Sequence, residues 1–326
     1  MHSILTDRFN YLLILTAFFI ALLSFPSNAF SHPPTCPDVD RDLYLTTPYM
    51  HGDDVLELQK RLKQLGFYNG PCDGVYGNLT AKAVANFHKK NNLSPTSRVT
   101  AVTWSALAKG CERPVSSQVS TPPHGPVSII VDTEKRTLTV MDRDRVYRQF
   151  PVAVGKPSTP SPVGDWMIIE KDANCGGGFG ARWLGLNVPW GIYGIHGTNK
   201  PWSIGEAVSA GCIRMYNEDI IQLYEWVSIG TRVKILGPPH WMTRSWMRTL
   251  SQGHFGPDVV FVQMSLKKIG FYPYLCDSWY GYLTELGVRS FQAAHCLPVT
   301  GRVDEKTYKL LQEKGGIIPL PPPENY

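Results

Sequence analysis

The residues with the clearest potential for chemistry lie in the stretch VSAGCIRMYNEDI at positions 208–220. Cys212 lies two positions before Arg214, and His196 lies 16 positions before Cys212. A thiol with an ordinary pKa of about 8.5 is mostly protonated at neutral pH, so it needs a base or a cation beside it to react. A histidine whose tautomer is fixed by a third group can be that base. The pattern leaves four interpretations of Cys212 open: a buried core residue, half of a disulfide, a metal ligand or a nucleophile.

The neighbours of Cys212 favour chemistry on a carbonyl group over metal binding. Gly211 lets the backbone approach a substrate closely. The amides of Gly211 and Cys212, together with the Arg214 guanidinium, can stabilise an oxyanion. Zn²⁺ usually takes four ligands in paired short spacings, and the sequence contains neither C-x-x-C nor H-x-x-x-H. We therefore predict no metal site and no cofactor.

The N-terminus predicts export. An apolar run at positions 11–25 follows Arg8, and Pro26 and a small-residue site ending at Ala29 come next. This order is typical of a secretory signal peptide, here residues 1–29. An uncleaved membrane anchor is the alternative, but the run is shorter than the roughly 20 residues that span a bilayer. No integral membrane segment is expected after cleavage, and the mature chain is expected to be secreted.

Export changes the interpretation of the seven cysteines, because oxidising compartments favour disulfides. An odd count leaves at least one thiol unpaired or shared between chains. Three bridges among the other six would leave Cys212 free, although a fully reduced chain is also compatible with the sequence. The pairs expected are Cys276 with Cys296 and Cys111 with Cys36 or Cys72.

Two segments of the chain match at a constant offset of 204 positions. DVLELQKRLKQLGFYNGPCDGVYGNLT begins at position 54, and DVVFVQMSLKKIGFYPYLCDSWYGYLT begins at position 258. Apolar residues recur at helical spacing in both copies, so each copy predicts a small domain of three short helices, at 41–111 and 248–314. Such small cores suit binding domains better than enzymes. The first helix of each copy is predicted to begin at Asp54 or Asp258 and to end at Gly66 or Gly270. The second helix is predicted to begin at Thr80 or Thr284.

The segment between the repeats, 127–236, predicts a β-rich domain. Short apolar runs alternate with Gly and Pro, and hairpin turns are expected at 132–135 and 142–144. One helix is expected after the cysteine motif, with Asn217 as its N-cap. The domain is joined to the repeats by predicted linkers, and the chain ends in a proline-rich tail. The linkers and the tail are 112–126, 237–247 and 315–326.

Each repeat resembles a known binding domain. The pattern G-D-x-V-x-x-x-Q-x-x-L-x-x-x-G-F-Y, followed by D-G-x-Y-G-x-x-T and a phenylalanine, is similar to the peptidoglycan-binding domain of many bacterial wall hydrolases and transpeptidases. The second copy departs from it, with Ser278 and Trp279 where the first has Gly74 and Val75. Equal ligand affinity of the two copies is therefore not expected.

The central segment resembles the L,D-transpeptidase catalytic domain of the YkuD type. The strings HGTN and SAGCIRM, with TPSPVGDW and GGGFGARWLGL, carry the resemblance, which covers 127–236. Ala210 departs from it, because many relatives have a second histidine there. The implied fold class is a β-rich L,D-transpeptidase catalytic domain between two small three-helix peptidoglycan-binding domains. By this resemblance Cys212 would be the nucleophile and His196 the base. The Gly197 carbonyl and Ser209 would orient the imidazole. Gly211, Cys212 and Arg214 would line the oxyanion site.

The resemblance implies a function in the bacterial cell wall. The cysteine would cleave the bond before the terminal D-Ala of a tetrapeptide stem and pass the acyl group to an amine of a neighbouring stem, with stem peptides and glycan as partners. No nucleic acid partner is expected, and the net charge of +5 does not by itself identify one. Two alternatives remain: an L,D-carboxypeptidase with water as acceptor, and a wall-binding protein without activity. A papain-like peptidase is disfavoured, because there the cysteine precedes the histidine.

Overall fold

The computed structural model of the chain describes residues 40–111, 113, 121–238 and 248–317. It contains a first helical domain (40–111), a central domain (121–238) and a second helical domain (248–317). The predicted signal peptide with its cleavage after Ala29, Cys36, and most of the linkers and of the tail lie outside the described residues. No described helix is long and apolar enough to cross a membrane. The predicted β-rich domain between two helical domains is confirmed.

The central domain is built on an eight-stranded sheet beside a two-stranded one. The strands are β1 (Val127–Asp132), β2 (Thr137–Asp142), β3 (Arg145–Pro151), β4 (Val154–Gly155), β5 (Gly164–Asp172), β6 (Trp183–Leu186), β7 (Tyr193–His196), β8 (Ala207–Ser209), β9 (Ile213–Arg214) and β10 (Arg232–Leu236). The large sheet has the order β3-β2-β1-β10-β5-β6-β7-β9, and β4 pairs with β8. In the large sheet β1 with β10 and β7 with β9 are parallel, and the other neighbours are antiparallel.

Alternation of side chains explains why these segments form strands around one core. In β1, β2 and β10 every second side chain is buried, as expected for a pleated strand with one face on the core. Both expected hairpin turns are present, between β1 and β2 and between β2 and β3. By contrast β6 is buried along its whole length, so both of its faces are covered. This strand lies next to the one that ends at His196.

The two helical domains repeat the same three helices. Their ranges are α1 (Asp53–Gln64), α2 (Asn78–Lys90) and α3 (Ala101–Ala108) in the first domain, and α5 (Pro257–Lys268), α6 (Tyr282–Ala294) and α7 (Glu305–Gly315) in the second. The central domain contributes α4 (Asn217–Trp226). Gly66 and Gly270 follow their helices with φ of 77° and 85°, as expected for residues that end a helix.

The predicted helix starts in the repeats are wrong by one or two residues. Glycines, not aspartates, occupy the N-cap positions of α1 and α5, because the chain enters each helix at a φ of 152° at Gly52 and 140° at Gly256. The Asp54 and Asp258 carboxylates instead accept hydrogen bonds from arginines of the preceding segment. Thr80 and Thr284 likewise lie inside α2 and α6, which begin two residues earlier with Gly77 and Gly281 at the N-cap.

A buried glutamine organises each helical domain. Gln59 Nε2 donates to Asp73 Oδ1 at 2.9 Å and to the Val75 carbonyl at 3.0 Å, and its Oε1 accepts from the Gly74 N–H at 2.9 Å. In the second domain Gln263 makes the same contacts at the equivalent positions. One side chain thus supplies hydrogen-bond partners to the loop that joins the first two helices, because buried backbone N–H and C=O groups need such partners.

Replacing Gln59 with Leu should lower the free energy of unfolding of the first helical domain by about 2–4 kcal/mol, because buried backbone groups lose their partners. Gln263→Leu should have a similar effect on the second domain. Urea unfolding monitored by circular dichroism checks both variants. The exposed Gln64, at the end of α1, provides the control Gln64→Leu, for which a change of no more than about 0.5 kcal/mol is expected. Equal stability of Gln59→Leu and the parent chain would contradict this account.

The second helical domain joins the central domain through apolar contacts. Val260 of α5 and Cys276 are buried in the same hydrophobic cluster as the core of the central domain. Backbone pairing reinforces the contact, because the Asp165 N–H donates to the Cys276 carbonyl at 3.0 Å and the Cys276 N–H donates to Asp165 Oδ2 at 2.9 Å. This domain is therefore packed as an extension of the central core.

The first helical domain joins the central domain through aromatic rings and charges. Trp202 of the central domain stacks on Trp104 of α3, with ring centroids 6.4 Å apart. The Arg61 guanidinium lies 5.0 Å from the Trp202 ring centroid, within the distance of a cation–π contact. Trp202 lies between His196 and Cys212 in the chain, so this contact holds the segment that joins the two predicted site residues.

Candidate active site

His196 is held at one end of the large sheet by the register of three strands. It ends β7, where it pairs with Trp183 of β6 on one side and with Arg214 of β9 on the other. Paired residues of neighbouring strands project from the same face of a sheet. The imidazole is fully buried, and the ring of Trp183 lies 5.7 Å from it between centroids. The register thus sets Trp183 and Arg214 at the strand positions on either side of His196.

Cys212 shares this aromatic pocket. It lies immediately before β9, is 2% exposed and packs with Trp183. Phe179, in the glycine-rich loop before β6, packs against this pair and also meets the His196 ring edge-on at 5.2 Å. The thiol and the imidazole are therefore enclosed by the same two aromatic side chains. The structure brings together the two residues that the sequence singled out.

The tautomer of His196 follows from its hydrogen bond to the backbone. Nδ1 lies 2.5 Å from the carbonyl oxygen of Gly197. A carbonyl oxygen only accepts, so Nδ1 carries the proton, and in the neutral ring Nε2 is the basic nitrogen. The Gly197 carbonyl is thus placed where the resemblance puts the group that orients the imidazole.

Ser209 and Gly211 shape the loop that carries Cys212. The Ser209 hydroxyl donates to the Cys212 carbonyl at 2.6 Å and accepts from the Gly211 N–H at 3.1 Å, so its hydrogen bonds go to this loop and not to the imidazole. Gly211 has a φ of 120°, and a Cβ there would meet the Tyr193 ring at 2.7 Å, which explains why glycine is needed. The roles of Ser209 in orienting the imidazole and of the Gly211 amide in an oxyanion site stay predictions.

Arg214 is buried and its guanidinium is engaged by another domain. Nη1 donates to Glu57 Oε1 of α1 at 2.7 Å. Burial opposes ionisation of Glu57, but Arg214 and Lys200 outweigh it and keep the pKa of this carboxyl below its usual value. A buried carboxylate with two cationic partners is charged at neutral pH. A role for Arg214 at an oxyanion site stays a prediction, and Glu57 is a partner that sequence reasoning missed.

Asn217 is not the N-cap of the helix that follows the motif. Tyr216 occupies the N-cap position of α4, and Asn217 is its first residue. The Asn217 Oδ1 accepts from the N–H groups of Ala181 at 3.0 Å and Thr198 at 3.2 Å, and its Nδ2 donates to the Thr198 carbonyl at 3.1 Å. One amide thus joins the glycine-rich loop to the loop after His196. The sequence shows an asparagine before an apolar helix, a pattern that fits a cap equally well.

Both loops approach Asn217 so closely that they need glycine. A Cβ at Gly180 or at Gly197 would lie 2.2 Å from the Asn217 Oδ1. Real Cβ atoms do not approach a heavy atom this closely, so any larger residue would displace the loop. The backbone carbonyl that holds His196 therefore depends on a glycine and on the asparagine packed against it.

A cavity of about 260 Å³ opens beside the Cys212 loop. Its walls include Thr159, Tyr193 and Ala210 from the central domain and Pro257 and Val260 from the second helical domain. The Thr159 hydroxyl donates to the Ser209 carbonyl at 3.1 Å, which ties this wall to the cysteine loop. A cleft bounded by two domains is a common place for a binding site.

None of the six cysteines that the structure describes is joined in a disulfide, so the expected pairs Cys276–Cys296 and Cys72–Cys111 are wrong, and Cys36 lies outside the described residues. Cys276 is buried in the contact between domains whereas Cys296 is exposed, and burial raises the pKa of the Cys276 thiol to about 12. The Cys111 thiol lies 2.9 Å from the Arg61 guanidinium. Among the described residues no group of three or more His, Cys, Asp or Glu side chains is arranged to hold a metal ion.

A β-rich domain that buries a cysteine beside a histidine, flanked by two copies of a helical domain, agrees with the comparisons with known proteins. Residues 126–235 match the family described as "L,D-transpeptidase catalytic domain". Residues 51–107 and 255–311 each match "Putative peptidoglycan binding domain". The match to the catalytic domain contains all six predicted site residues.

The relatives are of the same family. The chain is 50% identical over 110 residues to "Putative L,D-transpeptidase YkuD" of Bacillus licheniformis, a match that covers 34% of this chain and 66% of that protein, just under two thirds of its length. It is 36% identical over 122 residues to "Putative L,D-transpeptidase YqjB" of Bacillus subtilis, covering 33% of this chain and 69% of that protein. The chain belongs to the L,D-transpeptidase family, and the resemblance noted in its sequence is confirmed.

A solved structure of an L,D-transpeptidase from Mycobacterium smegmatis also matches. The sequence identity is 25%, and the match covers 34% of this chain and 58% of that one. Its TM-score is 0.29, which is too low for an inference.

Replacing Asn217 with Ala should lower the free energy of unfolding by about 1–3 kcal/mol, because two backbone N–H groups and one carbonyl lose their partner. The loss should be seen in urea unfolding. It should also increase hydrogen exchange at the Ala181 and Thr198 amides. Asn187→Ala is a matched control, since the Asn187 Oδ1 accepts a single backbone N–H, that of the exposed Met167. Unchanged protection of the Thr198 amide in Asn217→Ala would contradict this role.

Proposed function

We propose that the chain is a cell-wall L,D-transpeptidase with Cys212 as nucleophile and His196 as base. It cleaves the bond before the terminal D-Ala of a peptidoglycan tetrapeptide stem and transfers the acyl group to an amine of a neighbouring stem, forming a 3→3 cross-link. One observation carries the proposal: the Cys212 thiol and the His196 imidazole lie in the same buried aromatic pocket, and the hydrogen bond to the Gly197 carbonyl fixes the tautomer of the imidazole. Membership of the family supports the reaction class.

In the proposed mechanism His196 moves one proton in each half of the reaction. Its Nε2 takes the proton from the Cys212 thiol, and the thiolate attacks the carbonyl carbon of the third stem residue. The imidazolium then protonates the departing amine of D-Ala, which leaves a thioester on Cys212. An acceptor amine attacks the thioester and gives its proton to His196, and the cysteine leaves as thiolate. Positioned acid–base groups of this kind contribute about 10²–10⁴-fold to a rate.

Donors near the thiol are proposed to stabilise the oxyanion that forms in both halves. The candidates are the backbone amides of Gly211 and Cys212 and the Arg214 guanidinium. The Gly211 N–H has to leave the Ser209 hydroxyl in order to take part. Removing a single oxyanion donor in comparable sites costs roughly 10²–10³-fold in kcat, so these donors are worth as much as the base.

The two helical domains are proposed to keep the enzyme on its polymeric substrate. Both match the peptidoglycan-binding family, and one lies on each side of the catalytic domain. Two linked binding sites raise the effective concentration of stem peptides near the thiol. We propose accordingly that the protein is secreted and associated with the cell wall.

The chain lacking residues 1–29 should convert disaccharide-tetrapeptides into cross-linked dimers and release one D-Ala for each cross-link. Mass spectrometry of the products checks this outcome. Cys212→Ala should give neither product, because no thioester can form. Cys296→Ala is a matched control that removes an exposed thiol of the second helical domain and should leave both products unchanged.

Other product patterns would replace the proposal. Release of D-Ala with tripeptides and no dimers would identify an L,D-carboxypeptidase in which water takes the place of the amine. Absence of turnover by the reduced protein, together with retention on intact wall, would identify a binding protein without activity. Dimers formed equally well by Cys212→Ala would rule out Cys212 as the nucleophile.

A further inference from the structure

A carboxylate from the first helical domain reaches the candidate active site. Glu57 extends from α1 between two cations of the central domain, with Oε1 2.7 Å from Arg214 Nη1 and Oε2 3.1 Å from Lys200 Nζ. The three side chains are only 12%, 4% and 5% exposed, respectively. Lys200 also lies 3.3 Å from Asp40 Oδ1, so two carboxylates face two cations in this buried cluster.

The two cations belong to the two chain segments that carry the reacting groups. Lys200 lies four residues after His196, and Arg214 lies two residues after Cys212. Glu57 therefore joins the segment that follows the base to the strand that follows the nucleophile. Arg214 is also the strand partner of His196 in the β7–β9 register. A group that fixes Arg214 fixes the residue directly beside the imidazole.

Glu57 affects the chemistry through its charge as well as through its position. When His196 takes the thiol proton it becomes a cation, and an unbalanced Arg214 beside it would oppose that step. The Glu57 carboxylate, which pairs with the guanidinium, offsets this repulsion. Burial would lower the pKa of Lys200, yet Glu57 and Asp40 outweigh burial and Arg214 and raise it. The cluster thus pairs two carboxylates with two cations.

The duplicated helical domain provides an independent observation. The position equivalent to Glu57 in the second copy, 204 residues later, is Phe261. Phe261 packs inside its own domain and stacks on Tyr308, at 6.3 Å between centroids. In the first copy the equivalent of Tyr308 is Trp104, and the ring stacked on it is Trp202 of the central domain. At the position of Glu57 the first copy thus has a carboxylate, whereas the second copy has the aromatic ring of Phe261 in its own core. In the first copy the Trp202 ring of the central domain takes the place of that ring.

We propose that Glu57 of the first peptidoglycan-binding domain is a positioning residue of the active site, which holds Arg214 and through it the His196–Cys212 arrangement. This inference rests on the proposed function for the identity of the nucleophile and the base. It makes the first peptidoglycan-binding domain part of the catalytic unit and not only a wall anchor. Glu57 itself touches no reacting atom and acts through Arg214.

The test is Glu57→Gln in the chain lacking residues 1–29, with two readouts. We expect kcat for D-Ala release to fall by about tenfold or more, with KM changed by less than about threefold, as for an interaction that acts on the chemical step. The rate at which iodoacetamide alkylates Cys212 at neutral pH, followed by peptide mass spectrometry, should also fall by roughly threefold or more. Asp53→Asn is the matched control, because Asp53 on the same helix pairs across the interface with Lys156 and not with Arg214. It should leave both readouts within about twofold of the parent chain.

A second variant separates positioning from mere attachment of the domain. Glu57→Gln with Lys200→Gln removes the unbalanced lysine, so the interface regains its charge balance while Arg214 still lacks the Glu57 carboxylate. Persistently low kcat and slow alkylation in this double variant support the proposal. Recovery of both readouts in the double variant would show that Glu57 only joins the domains. A lower melting temperature of Glu57→Gln with unchanged kcat and alkylation rate would show the same.

The alkylation readout does not depend on turnover. If the parent chain released no D-Ala, the proposed function would fail, but the rate of Cys212 alkylation would still be compared between the parent chain, Glu57→Gln and Asp53→Asn. Equal alkylation in all three would overturn the positioning role, whatever the activity.

Discussion

The candidate active site depends on the pairing of a very short strand. β9 contains only Ile213 and Arg214, and it meets β7 at two residue pairs, one of which joins Arg214 to His196. A slip of one residue would turn every side chain of β9 to the opposite face of the sheet. The thiol of Cys212 would then lose its place beside the imidazole. Two residue pairs are too few to hold such a register alone, so the surrounding structure has to supply the rest.

The support for β9 comes from three directions. Ala153 and Arg214 exchange two backbone hydrogen bonds of 2.9 Å, which covers the open edge of the strand. Asn217, just beyond β9, joins the loops on either side of β6 and β7. Glu57 holds the Arg214 side chain from the first helical domain. Backbone, side-chain amide and ion pair thus fix the same short strand through different kinds of interaction.

The sequence predicts the parts of the site that are local and misses those that depend on packing. The repeats, the hairpins of the central domain and the association of Cys212 with His196 follow from periodicity, turn residues and motif spacing. The starts of α1 and α5 are misplaced because aspartates are good caps in general, whereas here the entering chain needs a positive φ that only glycine tolerates well. Glu57 was invisible for another reason. It lies 157 residues before Arg214, and a lone glutamate on an amphipathic helix is normally a solvated charge.

The two copies of the helical domain have acquired different relations to the central domain. The first uses Glu57 and Arg61, which lie one helical turn apart on α1, for charged and cation–π contacts. The second uses Val260 of α5 for apolar packing, and its residue at the position equivalent to Glu57 points into its own core. An ionic contact fixes direction, whereas apolar packing is less directional. The first copy is therefore suited to orienting a catalytic side chain and the second to forming a wall of the neighbouring cavity, so the copies are not interchangeable even though they share one fold.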